Sequence, residues 1–276
     1  MRKTAERFRR LERAVMLTIY TQNIWGGQVF GPLCARLVQL RDQVHIFCLQ
    51  EVLSSSDGVQ PYTPVPTNLL AELQHCLPEH QPLFCNIQSE FDPDGSVTYA
   101  VDFGQAIFLH RSIQLPHHFK RFIFRTENAL SAVSSEPVGW GLGRAIQVAA
   151  IVYEHEIYVI GNVHGLWHPS GKGDIPERLQ QSSNIVAAMQ RTSAEKKIIV
   201  GDLNVQSQTQ SIKLIEAAGY RNLITEHCIT NTRTVFYHKA SRQADYAFVS
   251  RAVTVEDFHV DQTPVSDHAA LVLAVT

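Results

Sequence analysis

The chain has 276 residues, a net charge of −2 and a pI near 6.7, enough for one large domain or two small ones. Near-neutral charge gives no support to a protein that grips long nucleic acid nonspecifically, and no apolar run is long enough to span a membrane. The five cysteines include no CxxC pair and predict a reduced, intracellular, cytoplasmic protein. Cys48 and Cys76 fall within apolar patterns and are expected to be small core residues.

The N-terminus is strongly basic, and no apolar signal core follows it. We expect a basic arm over residues 1–13, followed by a single domain over residues 14–276. The favoured interpretation of the arm is a frayed, solvated helix, and the alternative is a segment that touches phosphate or an anionic membrane surface.

Apolar runs rich in Val, Ile and Phe, bounded by turn-forming residues, predict ten strands. In chain order they are Met16–Tyr20, His45–Leu49, Leu83–Ile87, Ala106–Leu109, Ala145–Val152, Ile157–Val163, Lys197–Val200, Tyr246–Val249, Val253–Val260 and Ala269–Val275. Leucine stripes and end signals predict four helices between them, over Pro32–Asp42, Asn68–Leu77, Pro176–Arg191 and Ser211–Ala218. Without strict alternation of strand and helix, this order predicts an α/β or α+β protein with two sheets.

End signals support the last two predicted helices. Asp174 is expected to cap the helix that begins with Pro176, and Gly219 to end the following helix. Three weakly patterned segments lie outside the predicted elements, Ser54–Thr67, Gln88–Phe103 and Arg125–Gly143. Long loops in a compact domain are often functional, so these segments are candidates for substrate contact.

Polar, chemically capable side chains stand where apolar runs end or begin. An unpaired polar group in a buried strand costs a few kcal/mol, so side chains of this kind predict a site at the strand ends. The set is rich in oxygen and contains no thiolate, which suits Mg²⁺, or Mn²⁺, better than zinc. Mg²⁺ held by carboxylates beside a phosphate is the pattern of phosphoryl transfer. The residues are Asn23, Glu51, His164, Asp202, Asn204, Asp245, Asp267 and His268.

Each of these residues has a structural interpretation when it is taken alone. Asn23 fits a turn, Asp202 begins a possible Asx turn, His164 fits a core histidine, and Asp245 fits a buried partner of Arg242. Several such junctions in one chain favour a common site over these separate explanations.

The residues also match an ordered family signature. The chain contains Asn23, Leu49-Gln50-Glu51, Asn162-Val163-His164, Gly201-Asp202-Leu203-Asn204, Asp245-Tyr246 and Ser266-Asp267-His268, in that order. This set resembles the exonuclease–endonuclease–phosphatase superfamily, which includes pancreatic-type deoxyribonucleases, abasic-site endonucleases, inositol-polyphosphate 5-phosphatases and neutral sphingomyelinases. The segment over residues 162–178 looks like that of a little-characterised, bacterial subgroup. The resemblance implies an α/β fold, a four-layer α/β/β/α sandwich of two packed mixed β-sheets flanked by helices.

The resemblance also implies roles for the metal and the attacking water. Glu51 would bind the metal, with Asn23 and Asp267 from the opposite rim. Asp202 would orient or deprotonate the water, and Asn204 would hold water or phosphate.

Two histidines complete the implied machinery. His268, held by Asp245, would contact the phosphate or act as the base, and the carboxylate is expected to raise the pKa of this histidine. His164 would contact the phosphate or serve the leaving group. A carboxylate partner for His164 is not evident in the sequence, although four acids lie in a suitable loop region, Glu90, Asp92, Asp94 and Asp102.

Four further residues are candidates for substrate binding, namely Asn162, Lys172, Arg178 and Arg144. The alternative for Arg178 is a helix residue paired with a core carboxylate. A basic segment over residues 117–125 is either a rim for nucleic acid or a solvated hairpin.

The expected activity is Mg²⁺-dependent hydrolysis of a phosphodiester or phosphomonoester by in-line attack of water, a nuclease being one form of it. The expected partner is a phosphate ester, either nucleic acid or a small molecule or lipid headgroup. No integral membrane contact and no obligate protein partner are expected. The alternative is a non-catalytic protein that binds a phosphate ligand on the same fold.

Overall fold

A computed structural model describes residues 16–56, 66–93, 95–130 and 140–276 of the chain. The basic arm predicted over residues 1–13 lies outside the described residues. In these ranges the helices are α1 (Phe30–Leu40), α2 (Leu69–Cys76), α3 (Pro176–Met189), α4 (Gln210–Ala217) and α5 (Leu223–Glu226), with a 3₁₀ turn at Trp25–Gly27.

The strands are β1 (Leu17–Asn23), β2 (Ile46–Ser54), β3 (His80–Ser89), β4 (Phe91–Asp92), β5 (Gly95–Ser96), β6 (Asp102–His110), β7 (Gln114–Phe124), β8 (Arg144–Tyr153), β9 (Glu156–His164), β10 (Lys196–Asp202), β11 (Tyr220–Asn222), β12 (Asp245–Ser250), β13 (Val255–Asp261) and β14 (Ala270–Val275). All ten predicted strands and all four predicted helices are present, with bounds that differ by a few residues. Among the described residues, no helix has the length and apolar content needed to cross a bilayer.

Two six-stranded mixed sheets form the centre of the molecule. The first sheet has the order β13-β14-β1-β2-β6-β3, and the second has the order β11-β12-β10-β9-β8-β7. Each sheet contains one parallel pair, β1 with β2 in the first and β9 with β10 in the second, and its other pairings are antiparallel. Parallel neighbours point their carboxyl ends to the same edge, which is where the polar side chains emerge.

The central strands of the second sheet are buried on both faces. The run Ile198-Ile199-Val200 of β10 is fully buried, and continuous apolar runs are expected for strands covered on both sides. One large apolar cluster fills the space between the sheets and under α3 and α4, and a second lies between the first sheet and α1 and α2. The predicted sandwich, with two packed mixed sheets flanked by helices, is therefore confirmed.

A polar network joins the two sheets in the middle of this apolar layer. Asn162 of β9 is fully buried, and its side-chain oxygen accepts a 2.8 Å hydrogen bond from Gln50 of β2. Its side-chain nitrogen donates to Ala106 O at 3.2 Å, and its carbonyl accepts a 2.7 Å bond from Gln105 Nε2. The prediction that Asn162 contacts substrate is therefore wrong, because its polar atoms are used between the sheets.

Two local predictions also need correction. Strand β7 was not predicted. Ile123 is its one fully buried side chain, so the strand has no apolar run, and its basic residues suggested a rim for nucleic acid or a solvated hairpin. Asp174 does not cap α3. Instead its carboxylate accepts hydrogen bonds from the backbone N–H groups of Gln210 and Ser211, at 2.6 and 2.9 Å, at the start of α4. A capping carboxylate acts on whichever helix start lies next to it in space.

A disulfide joins Cys34 of α1 to Cys76 of α2, across 42 positions of the sequence. The prediction of a reduced chain is wrong for this pair, and the cytoplasmic expectation loses the argument on which it rested. Both cysteines lie on the faces along which the two helices meet, which the sequence pattern of each helix alone does not reveal. Cys48 is buried and free, as predicted.

Replacing Cys34 by Ser is expected to lower the free energy of unfolding by about 4 kcal/mol, because the bond restricts a long loop in the unfolded chain. Denaturant titration with and without a thiol reductant measures the effect. Cys228→Ser, at an exposed free cysteine, is the matched control. A wild-type midpoint that reductant leaves unchanged would show that the bond does not contribute.

Candidate active site

The carboxyl ends of the two parallel pairs meet at one pocket of about 330 Å³. Strands β1 and β2 bring Asn23 and Glu51 to it, and strands β9 and β10 bring His164 and Asp202. The lining residues are Trp25, Glu51, Phe91, Pro93, Phe103, Leu142, Arg144, His164, Trp167, Lys172, Asp202, Asn204, Arg233, Tyr237, Lys239, Asp267 and His268. The pocket therefore gathers most of the residues that the sequence pattern selected.

Glu51 enters the pocket at a bulge in β2. The register between β2 and β6 shifts between Gln50 and Val52, and Glu51 has a left-handed φ of 61°. Bulges of this kind turn a side chain away from the regular pleat and are common beside active sites. Burial raises the pKa of Glu51 to about 7, opposed by its hydrogen bond from Asn23, while the nearby carboxylates raise it further.

Asn23 holds two carboxylates together. Its Nδ2 donates to Glu51 Oε1 at 2.9 Å and to Asp202 Oδ2 at 3.2 Å, while its Oδ1 accepts a bond from the Trp25 backbone N–H. The oxygen of Asn23 that would ligate a metal also accepts this bond, and the ligation expected for Asn23 stays a prediction. The amide nitrogen links Glu51 to Asp202.

Asp202 and Asn204 form a tight turn at the end of β10. Asp202 Oδ1 accepts a 2.8 Å bond from the backbone N–H of Asn204, whose φ is 56°. The turn needs Gly201, which has a φ of 131°, because a Cβ there would meet Val163 O at 2.1 Å. The side chain of Asn204 donates to Gly165 O at 3.3 Å. This turn holds Asp202, 1% exposed, against the pocket floor.

His268 and Asp245 form a buried pair beside Asp202. Nδ1 of His268 lies 2.7 Å from Asp245 Oδ1, and the other oxygen of Asp245 accepts a 2.7 Å bond from Thr232. Asp245 is therefore not the partner of Arg242, whose guanidinium donates to a backbone carbonyl. The pair leaves Nε2 of His268 facing the pocket, 3.6 Å from Asp202 Oδ2.

The pKa of His268 is lowered overall in this environment, and the rise expected from Asp245 stays a prediction. Burial, reinforced by the charge of Arg233, lowers the pKa of His268 to about 3, and burial also raises the pKa of Asp245 to about 6. Desolvation therefore opposes charge on both groups. A neutral imidazole that donates through Nδ1 presents an acceptor lone pair on Nε2 to the pocket.

His164 has a cation and a carboxylate as neighbours. Nη1 of Arg144 lies 3.2 and 3.3 Å from its two ring nitrogens, and Glu51 Oε1 lies 3.7 Å from Nε2. Burial and the charge of Arg144 hold the pKa of His164 well below its usual range. Arg144 thus lies in the pocket, as expected, where it contacts His164.

Two of the loop acids, Asp92 and Asp102, have other partners than His164. Asp92 binds Tyr99 and the backbone of Gly95, and Asp102 accepts a bond from Ser89. Asp94 lies outside the described residues. Two of the three loops proposed for substrate contact do contribute pocket residues, including Phe91, Phe103 and Leu142.

Arg233 and Tyr237 were missed by sequence reasoning. Nη1 of Arg233 donates to Asp267 Oδ2 at 2.9 Å, its guanidinium lies 4.2 Å from the centre of the Tyr237 ring, and its backbone pairs with His268. The only signal in the sequence is an arginine between two threonines, Thr232 and Thr234, in a segment without periodicity.

Lys172 lies in the pocket as expected, whereas Arg178 does not. Burial lowers the pKa of Lys172 to about 8. Arg178 is 1% exposed, and its guanidinium donates to the carbonyl oxygens of Leu166 and Gly173. Neither the predicted substrate contact nor the alternative pairing with a core carboxylate holds for Arg178, which supports the loop that carries Lys172.

The oxygen donors of Glu51 and Asp267 fit a hard divalent cation. Burial and the surrounding carboxylates disfavour charge on Glu51, and a cation would reverse that penalty. A second candidate cluster consists of Asp202, Asp245 and His268. The 2.7 Å bond between Asp245 and His268 engages two of its atoms, and in the same way Asn23 engages Glu51 and Arg233 engages Asp267.

Comparisons with known proteins agree with this architecture. The family model described as "Endonuclease/Exonuclease/phosphatase family" matches residues 20–268. Among curated proteins, no sequence matches the chain.

Three solved structures illustrate the fold. An endonuclease/exonuclease/phosphatase from Beutenbergia cavernae is 17% identical, with 94% of this chain and 71% of that chain covered and a TM-score of 0.70. The mannosyl-6-phosphatase Bt3783 from Bacteroides thetaiotaomicron is 16% identical, with 94% and 99% covered and a TM-score of 0.65. D. rerio TDP2, complexed with single-strand DNA product, is 14% identical, with 95% and 99% covered and a TM-score of 0.62. With the family model matched over most of its length, the chain belongs to the endonuclease/exonuclease/phosphatase family.

Proposed function

We propose that this protein is a Mg²⁺-dependent phosphoesterase, with Mn²⁺ as a substitute, in which water attacks the phosphorus in line. The observation that carries the proposal is the meeting of Asp202 and the His268–Asp245 pair with Glu51 and Asp267 in one pocket. Family membership supports hydrolysis of phosphate esters as the reaction class, and the chemistry of the side chains supports the roles given below.

Asp202 and His268 would handle the attacking water. Nε2 of His268 and Oδ2 of Asp202 are 3.6 Å apart, too far for a good direct hydrogen bond and close enough for both to contact one water. Asp202 would orient the water, and His268 would accept its proton at Nε2. Asp245 would stabilise the resulting imidazolium and keep the ring in the required tautomer.

The remaining polar groups would surround the phosphate. Its terminal oxygens accumulate negative charge, so donors and cations around them stabilise the transition state. Asn204, Lys172 and Arg233 lie on the His268 side, and Arg144 with the neutral His164 lies on the other. Burial disfavours protonation of His164. We therefore assign it the role of a neutral hydrogen-bond donor to the phosphate and not that of a general acid.

Glu51 and Asp267 would hold the metal, with Asn23 fixing Glu51. When bound, Mg²⁺ would neutralise charge on a phosphate oxygen and on the leaving group. The carboxylates of the pocket need such a cation because they would otherwise repel the substrate's phosphate.

The substrate is either a small molecule or a nucleic acid. A pocket of about 330 Å³ suits a compact phosphate ester. In the basic segment predicted as a nucleic-acid rim, Lys120 is paired with Glu127 at 2.6 Å, which removes part of its charge. Hydrolysis measured at several salt concentrations distinguishes a nucleic-acid substrate from a small molecule, because binding to a nucleic acid weakens steeply as salt increases.

Glu51→Gln is expected to remove most of the thermal stabilisation that Mg²⁺ gives to the wild-type protein. The amide keeps the shape of the side chain and removes the charge that attracts the cation, and ligand-induced stabilisation scales with affinity. At 100 times the wild-type dissociation constant, the wild type should gain about 2.7 kcal/mol. Thermal unfolding with and without Mg²⁺ measures the difference.

Glu79→Gln, outside the pocket, is the control for this measurement. Equal Mg²⁺ stabilisation of wild type and Glu51→Gln would contradict the assigned metal site. Hydrolysis of phosphate esters that persists in EDTA would contradict the proposed metal dependence itself.

A further inference from the structure

Two cations on the His268 side of the pocket have buried donor atoms without a protein acceptor. Among the described residues, neither Nζ of Lys172 nor Nε of Arg233 has a hydrogen-bond partner. The side chain of Arg233 is only 4% exposed. Leaving a buried donor unpaired costs about 1–3 kcal/mol, and more for a charged group. Donors left in this state inside a pocket indicate an anionic ligand.

The nearby carboxylates already have partners. Asp267 accepts a hydrogen bond from Nη1 of Arg233, and Asp245 is hydrogen-bonded to His268. Asp202 accepts hydrogen bonds from the side chain of Asn23 and from the backbone N–H of Asn204. The charges of these carboxylates raise the pKa of Lys172 against the effect of burial. Its Nζ nevertheless forms no hydrogen bond with any of them. Both side chains line the pocket in which the substrate's phosphate would lie.

The loop that carries Lys172 is fixed from below. The buried guanidinium of Arg178 donates to Leu166 O and Gly173 O, at the two ends of the loop. The carbonyl of Lys172 itself accepts a 2.9 Å bond from the backbone of Gln206. These contacts fix the backbone that carries Lys172 before any ligand binds, which lowers the entropic cost of binding.

Arg233 and Lys172 share one neighbour. The guanidinium carbon of Arg233 lies 4.2 Å, and Nζ of Lys172 lies 5.8 Å, from the centre of the Tyr237 ring. Both cations thus lie near one ring in the same pocket. The aromatic ring also stabilises this concentration of positive charge.

We propose that Lys172 and Arg233 bind the third terminal oxygen of a phosphomonoester, so that the site prefers phosphomonoesters to phosphodiesters. This inference rests on the proposed phosphoesterase function. A phosphomonoester has three terminal oxygens. One would face the metal side, formed by Glu51 and Asp267, and one would face Asn204 and His268.

The third oxygen is the group that separates the two substrate classes. In a diester this oxygen carries a second ester group, has no negative charge and cannot satisfy the two buried donors. A binding site that hydrogen-bonds a polar group of its substrate strongly disfavours analogues without that group, because buried polar groups of the site then remain unpaired. Lys172 and Arg233 would therefore determine specificity at this position.

The test compares two esters with one leaving group, p-nitrophenyl phosphate and methyl p-nitrophenyl phosphate, in the presence of Mg²⁺. We expect wild-type kcat/KM to be at least about 10-fold higher for the monoester. Lys172→Met should lower monoester kcat/KM by roughly 10–100-fold, the loss of one charge-assisted hydrogen bond, and diester kcat/KM by less than about threefold. Lys172→Arg should restore most of the monoester activity.

Lys213→Met, at an exposed position of α4, is the control, and thermal unfolding verifies that each variant folds. A wild-type preference for the diester, or an equal loss of both activities in Lys172→Met, would overturn the inference while leaving the phosphoesterase function intact.

A second measurement does not depend on turnover. Inorganic phosphate, with free terminal oxygens, should raise the wild-type Tm more than dimethyl phosphate does, and Lys172→Met should remove that difference. If neither ester is hydrolysed, the proposed function fails, and the comparison of Tm shifts alone tests the anion site. Equal Tm shifts of the wild type with inorganic phosphate and dimethyl phosphate would overturn the proposed anion site.

Discussion

Replacing Asp202 by Asn is expected to lower kcat by roughly 10³-fold, within the range of a positioned acid–base group. The amide keeps the hydrogen bond from the backbone of Asn204 on its oxygen, so the turn after β10 should persist. Its nitrogen, however, would face the donor Nδ2 of Asn23, which lies 3.2 Å from the carboxylate in the wild type. Water would lose the carboxylate that orients it, and the loss should appear in kcat more than in KM.

Steady-state kinetics with a phosphate ester and saturating Mg²⁺ measure the effect of Asp202→Asn. Asp42→Asn is a matched control, because the side chain of Asp42 is 85% exposed and remote from the pocket. Wild-type activity in Asp202→Asn would rule out Asp202 as the group that acts on the water.

His268→Gln is expected to lower kcat by about 10²–10⁴-fold, because no other described side chain combines Nε2 facing Asp202 with a carboxylate behind it. Asp245→Asn should cause a large part of the same loss, since an amide can stabilise the wrong tautomer of the ring. The double variant should be little worse than His268→Gln alone, because the two residues act as a unit.

The chain offers a matched control for this pair on its surface. His259 Nδ1 lies 2.7 Å from Asp257 Oδ2, the same separation as in the buried pair, with both side chains more than half exposed. His259→Gln should leave kcat unchanged. Additive effects of His268→Gln and Asp245→Asn would contradict their action as one unit, and full activity in His268→Gln would contradict its role as base.

The sequence predicted the residues whose position follows from strand periodicity. Asp202 and His164 follow long apolar runs, so the edge of the sheet at which they emerge can be deduced. Glu51 was found from the same pattern, although its orientation depends on a bulge that no periodicity reveals. Sequence order with a family signature was sufficient for the sandwich, and most of the residues that it selected line one pocket.

The errors share a physical cause, which is that they concern contacts that strand and helix periodicity does not reveal. Asn162 and Arg178 have the chemistry of substrate-binding groups, yet Asn162 bonds to the other sheet and Arg178 to carbonyl oxygens of the loop before α3. Arg233 lies in a segment without regular structure, and its place beside Asp267 depends on how that segment folds back onto β14. The Cys34–Cys76 bond depends on the packing of α1 against α2.

The two sheets contribute different parts of the candidate site. Glu51 and Asp267 belong to the first sheet and its connections, whereas Asp202, His164 and Asp245 come from the second. With the proposed roles, cation affinity would be largely a property of one layer, while turnover would depend on the alignment of both layers. Substitutions deep in the interlayer network, such as those at Gln50, should therefore separate the two: the protein would still bind its cation but would turn over slowly, although every residue of the site is intact.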